Sequence, residues 1–243
     1  MRTARAAAAL PLLALPFLAA CGGDADDGAD TSPSSPLTTV AGPSATAASS
    51  FDDAGLQAAL LDSTDLPVGF APVPDPVDDL GLPPAAESSA SDRSSTDPEV
   101  CADVLAPIAD QAHGATARAT ARFSGPDFTS IDTDAAAYPD AAAAFTAVQE
   151  TLAVCGEYSG TDADGVDVTY RLGGLDQATV GDASTAFRLD TTSEGFTMVS
   201  DTVIAIVGGV VVQVTATGQD PVDPAVLGGL ARTAAENLRS DNS

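Results

Sequence analysis

The feature that most constrains the fold is a long apolar segment near the C-terminus, TVIAIVGGVVVQVTAT, residues 202–217. It is rich in β-branched residues, which favour strands, and Gly208-Gly209 divides it near its centre. Two glycines between two such runs are typical of a tight hairpin turn. The apolar run falls short of the roughly 20 residues that a membrane-spanning helix needs. The segment therefore predicts a buried β-hairpin.

Alternation of apolar and polar residues predicts two further strands before this hairpin. The pattern is clearest in VDVTYRL, residues 166–172, and in STAFRLD, residues 184–190. Residues 115–123 and 128–133 are weaker strand candidates. The short connections between successive strands predict an antiparallel sheet. The side chains that alternation directs toward the core are Val166, Val168, Tyr170, Leu172, Thr185, Phe187 and Leu189.

Apolar residues with a helical repeat predict helices around these strands. Asp97 is positioned to cap the second helix, and Pro107 is expected to shorten or kink it. The resulting order, α-α-β-β-α-β-β-β-β-α, predicts an α+β fold in which an antiparallel sheet carries helices packed on one face. The helices would cover about residues 51–62, 97–111, 140–155 and 223–238.

The N-terminus has the pattern of a secretory signal. Arg2 and Arg5 precede a short apolar core, and the string LAAC ends at Cys21. This string looks like a bacterial lipobox, in which the cysteine takes a diacylglyceryl thioether and the signal is cut just before it. We predict a signal peptide over residues 1–20 and a membrane lipoprotein anchored through acyl chains, such as palmitate, on Cys21. The alternative is a plain signal peptide that leaves Cys21 unmodified or in a disulfide.

Two cysteines remain once Cys21 carries lipid, and both lie on apolar faces of predicted helices. An even number of cysteines in an oxidising compartment favours one disulfide, between Cys101 and Cys155. Such a bond closes a loop of roughly 55 residues and contributes about 4 kcal/mol in the chain-entropy model. The alternative is a pair of buried thiols.

Composition separates a tether from a single domain. Residues 22–50 are mostly Gly, Ser, Thr, Pro, Ala and Asp, so we predict a disordered tether over residues 21–50. Residues 51–243 have the length of one α+β domain, with a flexible, Pro- and Ser-rich loop at about 83–97.

The charge balance excludes one class of partner. The chain has 35 acidic residues against nine arginines and no lysine, a formal net charge of −26. Nucleic-acid binding needs a basic surface that neutralises phosphates, so no nucleic-acid partner is expected.

The sequence contains no recognisable catalytic or metal-binding motif. The single histidine, His113, follows a predicted helix end, where a structural role is favoured. Asp162, Asp164 and Asp167 surround Gly165, but their spacing does not match a calcium loop and favours a turn. We therefore predict no catalytic activity, no metal and no cofactor.

Four arginines occupy polar positions of candidate strands. If those strands are neighbours, the guanidinium groups would form a basic patch that suits an anionic ligand. The alternative is that each arginine pairs with a cross-strand acid such as Asp167, Asp190 or Asp201. The four residues are Arg118, Arg122, Arg171 and Arg188.

A series of strings carries a family resemblance over about Leu56 to Leu238. They are ALLDSTDLPVGF, CADVLAPIA, AAAAFTAVQETLAVC, GDASTAFRLD and the apolar hairpin. Together they resemble actinobacterial surface lipoproteins and, more distantly, the extracellular sensor domain of PknH-type serine/threonine kinases. The resemblance implies an α+β domain with a cleft for an unknown ligand. The kinase sensor domains carry two disulfides, whereas this chain has cysteines for one.

These observations predict a lipid-anchored ligand-binding or sensor-like module without catalytic activity, on the extracytoplasmic face of the cell membrane. Its partners would be the membrane, through the anchor, and an unknown small-molecule, lipid or wall ligand. The alternative is a cell-envelope lipoprotein that contacts wall polymer or a partner protein without such a ligand.

Overall fold

The computed structural model describes most of the predicted domain and a short segment ahead of it. The predicted signal peptide, Cys21 and the greater part of the predicted 83–97 loop lie outside the described residues. No helix within the described part has the length and hydropathy to cross a lipid bilayer. The described residues are 35–44, 49–73 and 93–240.

Within these residues the strands form one antiparallel sheet, in the order β1-β3-β4-β9-β8-β7-β6-β5-β2. The predicted α+β class and the antiparallel sheet are therefore confirmed. The elements in chain order are α1 (Asp53–Ala59), β1 (Ala71–Pro72), β2 (Ser95–Asp97), a 3₁₀ helix (Glu99–Asp103), α2 (Ile108–Gln111), β3 (Ala117–Ser124), β4 (Ser130–Ala137), α3 (Ala141–Val154), β5 (Glu157–Thr161), β6 (Asp167–Gly174), β7 (Ala183–Ser193), β8 (Phe196–Val207), β9 (Val210–Gly218) and α4 (Pro224–Ser240).

Very short strands lie at both edges of the sheet. At one edge, β1 pairs only Ala71 and Pro72 with β3. At the other, β2 pairs three residues with β5. The longer strands lie between them, and β4, β6, β7, β8 and β9 each pair with a long strand on both sides, whereas β1 covers only the end of β3.

The predicted hairpin is formed by β8 and β9, with Val207 opposite Val210. Gly208 has a φ of +58°, a left-handed conformation that a glycine adopts without a Cβ penalty. The two strands lie in the interior of the sheet, beside β7 and β4. Their residues are buried at odd and even positions alike.

Because both faces of this hairpin are apolar, both need cover, and helices pack on both faces of the sheet rather than on the single face predicted. The α4 face, which includes Val203 and Val212, packs against α1 and α4. The α3 face, which includes Ile204 and Val211, packs against α3, α2 and the 3₁₀ helix.

The other strands follow the predicted alternation. Of the seven side chains directed toward the core, five are buried, while Val166 and Tyr170 are half-buried. The weaker candidates are also strands, β3 and β4, and β4 continues to Ala137, beyond its predicted end at residue 133.

The helices match the prediction where no proline interrupts them. In α3 the Asp140 carboxylate accepts the Ala143 N–H at 3.0 Å, and in α1 the cap is Asp52. The second predicted helix is instead divided into the 3₁₀ helix and α2, because Pro107 cannot continue a hydrogen-bonded helix. Asp97 lies in β2 and does not cap it.

The predicted disulfide is confirmed. Cys101 in the 3₁₀ helix and Cys155 at the end of α3 are bonded, with their Cα atoms 5.7 Å apart and a sequence separation of 54. Both residues are buried in the core of the α3 face. The bond ties the irregular segment before β3 to the helix that covers the sheet.

The segment Ser35–Ser44, named here the strap, differs from the disordered tether predicted for residues 21–50. It lies against the α3 face, where Leu37 and Val40 pack on the core. The Gly174 N–H donates to the Ser35 carbonyl at 2.8 Å, and the Gln149 side chain binds the backbone of Val40.

Candidate ligand-binding cleft

The four arginines predicted to form an anion-binding patch lie on two opposite faces of the sheet. Arg118 and Arg122 are on β3 and share the α3 face with their cross-strand partners in β4. Arg171 on β6 and Arg188 on β7 are on the α4 face. The sheet therefore separates the two pairs, and no single patch of four forms.

Three of these arginines are largely exposed and make long ion pairs, of the kind that contributes about 0–1 kcal/mol. The pairs are Arg118–Asp110 at 3.6 Å, Arg122–Asp132 at 3.7 Å and Arg171–Glu157 at 3.9 Å.

Arg188 is different because it makes a bidentate ion pair with Asp201, the directly opposite residue on β8. Its Nε and Nη2 atoms donate to the two carboxylate oxygens at 2.6 and 2.9 Å. Only 13% of the Arg188 side chain and 2% of that of Asp201 are exposed. The hydrogen bond to Asp201 is the main cause that raises the pKa of Arg188. For this residue the predicted alternative, a cross-strand acid, is what the structure contains.

A cleft with a volume of about 740 Å³ lies on the α4 face, over β5 to β8. We name it the β5–β8 cleft. Helix α4 packs on β8 and β9, and within the described residues no helix covers this part of the sheet. The floor is therefore made by side chains of the sheet itself.

Strand register explains which side chains meet in the β5–β8 cleft. Residues directly opposite each other across antiparallel strands share a face. One row across the sheet is Glu157, Arg171, Asp190 and Val199, and the next is Asp97, Ser159, Thr169, Thr192 and Thr197. All nine residues line the cleft.

The cleft is rich in hydrogen-bonding groups and negative in balance. Its charged residues are Asp97, Glu157, Asp190 and a single arginine, Arg171, whose side chain is 62% exposed. The hydroxyl groups of Thr192 and Thr197 lie 2.8 Å apart, and either can donate. This arrangement suits a polar ligand that both donates and accepts hydrogen bonds.

A second polar cluster, on the α3 face, was not predicted from the sequence. The carboxylate of Asp134 accepts the Ile108 N–H at 2.7 Å and the Gln213 amide at 3.2 Å. Burial raises the pKa of Asp134 to about 7, although both hydrogen bonds act to lower it. Its neighbour Asp132 also has a raised pKa because of burial. The sequence signal that could have revealed this cluster is the polar residue Asp134 at a buried position of β4.

The remaining motifs of the sequence have local roles. His113 is exposed just after α2, and Gly114 beside it has a φ of +95°. Asp162 closes the β5–β6 turn, where its carboxylate accepts the N–H groups of Asp164 and Val166, both at 2.9 Å. Over the described ranges, no three or more His, Cys, Asp or Glu residues are grouped to hold a metal ion.

Comparisons with known proteins identify the fold family. Residues 51–237 match the family model of the PknH-like extracellular domain. The crystal structure of the extracellular domain of PknH from Mycobacterium tuberculosis is similar with a TM-score of 0.56 and 14% identity, over 78% of this chain and 97% of that chain. A putative uncharacterized protein from Mycobacterium smegmatis is 14% identical over 72% of this chain and 92% of its own, with a TM-score of 0.37. No curated protein matches the chain.

The family match covers well over half of the chain and includes both disulfide cysteines, the four arginines and every described strand of the cleft. The PknH structure supports the same fold. The predicted resemblance to PknH-type sensor domains is therefore confirmed, and the chain belongs to the family of PknH-like extracellular domains.

Proposed function

We propose that this extracytoplasmic, sensor-like domain binds a polar small molecule in the β5–β8 cleft and is held at the cell membrane by acyl chains on Cys21. The observation that carries the binding proposal is the pair of polar rows on an uncovered part of the sheet. A volume of about 740 Å³ lies within the range of ligand pockets in proteins.

The composition of the cleft favours one kind of ligand. Three carboxylates accompany one guanidinium, so a ligand with hydroxyl or amine donors is favoured over a simple anion. The exposed Arg171 side chain adds donors in a fork geometry that suits oxygen acceptors. A hydroxyl-rich ligand of neutral or positive charge satisfies both groups.

Substitution of Arg171 tests the binding proposal, because Arg171 lines the cleft and its ion pair with Glu157 contributes little to stability. A thermal-shift screen of the chain with Cys21→Ser would use amino sugars and wall fragments as probes. We expect a ligand at a hundred times its Kd to add about 2.7 kcal/mol of stability. Arg171→Ala should weaken binding about tenfold or more.

Arg118→Ala is the matched control, since it removes an equally exposed arginine from the opposite face. Its affinity for the same probe should be unchanged. A screen without any stabilising probe would contradict the proposal. Wall fragments that bind equally well to both variants would favour the alternative of a surface-contact lipoprotein.

The anchor is tested separately in an actinobacterial host. The support for it is the LAAC string, residues 18–21, behind a short apolar core. Stable anchoring through acyl chains needs more than one chain, as in a diacylglyceryl group. We expect labelled palmitate to enter the protein and Cys21→Ser to move it from the membrane fraction to the medium, whereas Gly22→Ala should change neither. A membrane-bound, unlabelled wild-type protein would contradict the anchor.

A further inference from the structure

The strap is held in the way in which a protein holds a peptide ligand. We propose that the groove between α3 and the end of β6 is a binding site for an extended peptide, and that residues 35–44 are its resident, displaceable occupant. This site is on the α3 face, so the inference is independent of the β5–β8 cleft.

The first observation is the role of Gln149. It lies on α3 among apolar residues and is only 1% exposed. The Val40 N–H donates to its Oε1 at 2.7 Å, and its Nε2 donates to the Val40 carbonyl at 2.9 Å. Both functional groups of a buried amide are thus used to bind one residue of backbone. A backbone contact of this kind recognises a peptide largely regardless of its side chains.

The second observation is the far end of the groove. The Gly174 N–H donates to the Ser35 carbonyl at 2.8 Å. A Cβ at Gly174 would lie 2.9 Å from the Pro36 carbonyl oxygen, so a side chain at this position would push the strap away. The glycine therefore permits the close approach of a second backbone.

The third observation is the spacing of the strap's apolar side chains. Leu37 and Val40, three residues apart, pack on the α3-face core, while Thr38 and Thr39 are exposed. A repeat of three is that of a polyproline II segment, a conformation that Pro36 also favours. Beside the strap, a cavity of about 350 Å³ extends between Thr38, Gln177 and Ser184.

The fourth observation is where the groove and the strap lie relative to the family match. Gln149 and Gly174 lie inside the family match, residues 51–237, whereas the strap precedes it. The groove thus belongs to the family domain and the strap is an addition to it. Few hydrogen bonds and two half-buried apolar side chains hold the strap, and a segment with so few contacts opens more readily than the sheet.

The ligand class follows from these contacts. The groove takes an uncharged, extended peptide with two apolar side chains three residues apart, bound mainly through its backbone. A competing peptide would release the strap, and the domain would then no longer bind residues 35–44. Occupancy of the groove and release of the strap are then linked, since only one peptide fits at Gln149.

The experiment uses a fluorescent peptide of residues 35–44, SPLTTVAGPS, and the chain with Cys21→Ser. Val40→Pro removes the N–H that Gln149 accepts and so weakens the resident strap. We expect the Val40→Pro chain to bind the peptide at least tenfold more tightly than the parent chain. Adding Gln149→Ala should abolish that binding. Thr39→Ala, at an exposed strap position, should bind like the parent.

Hydrogen exchange provides a second measurement if Val40→Pro proves unstable. In the parent chain, saturating peptide should speed exchange of the chain's own Val40 amide and leave that of Gly174 protected. Equal peptide affinity of a folded Val40→Pro chain and the parent would overturn the proposal. So would a Val40 amide whose exchange saturating peptide does not change.

Discussion

Replacing both Cys101 and Cys155 by serine is expected to lower the free energy of unfolding by about 4 kcal/mol. The disulfide closes a loop with a sequence separation of 54 residues, and the lost closure entropy of the unfolded chain accounts for this value. The folded state also loses the tie between α3 and the 3₁₀ helix, which has no side-chain cap of its own. Urea denaturation of the oxidised parent and the double variant measures the difference.

The serine variant can be compared with the parent chain under reducing conditions. Both should unfold at the same lower urea concentration, while the oxidised parent unfolds at a higher one. A change below 1 kcal/mol in the double variant would contradict a stabilising role of this bond.

Between pH 8 and pH 5, the protein is expected to gain about 2–3 kcal/mol of stability from Asp134. Burial raises its pKa from the ordinary value of 3.8 to about 7, so in this window the folded state binds a proton that the unfolded state does not. Stability therefore rises as the pH falls through 7, and the gain is complete near pH 4. Chemical denaturation at a series of pH values measures this slope.

Asp134→Asn should flatten this part of the profile, because the amide does not titrate. Asp110→Asn, an exposed acid in a weak ion pair, is the control and should leave the slope in place. A profile of Asp134→Asn as steep as that of the parent would show that another group carries the pH dependence.

Local signals in the sequence were sufficient for β3, β4 and β6 to β9 and for α1, α3 and α4, but β1, β2 and β5 were not predicted. The β-branched runs on both sides of Gly208-Gly209 specified the hairpin, and the repeat of Phe145 and Val148 specified α3. These signals did not show that helices cover both faces of the sheet. That follows from burial at both odd and even positions of β8 and β9, whose apolar side chains belong to two different cores.

The candidate sites were less predictable because they depend on strand register. Alternation shows that Arg118 and Arg171 each occupy the polar side of a strand, but not that these sides belong to opposite faces. Only Arg171 of the four arginines lines the β5–β8 cleft.

Buried polar residues were missed for a related reason. Gln149 and Asp134 are polar, so a pattern of hydrophobicity assigns both to solvent. The strap was missed because composition averages over residues 21–50 and gives no weight to Leu37 and Val40.

The short edge strands have a consequence for how copies of this domain meet one another. Long unpaired edges act as templates on which neighbouring molecules can add their own strands. Here β1 covers the end of β3 with two residues, and Pro72 has no N–H to donate, while the Asp53 carboxylate accepts the Arg118 N–H farther along β3 at 2.8 Å. At the other edge, β2 presents three residues. These features disfavour the addition of a strand from a second copy at either edge of the sheet.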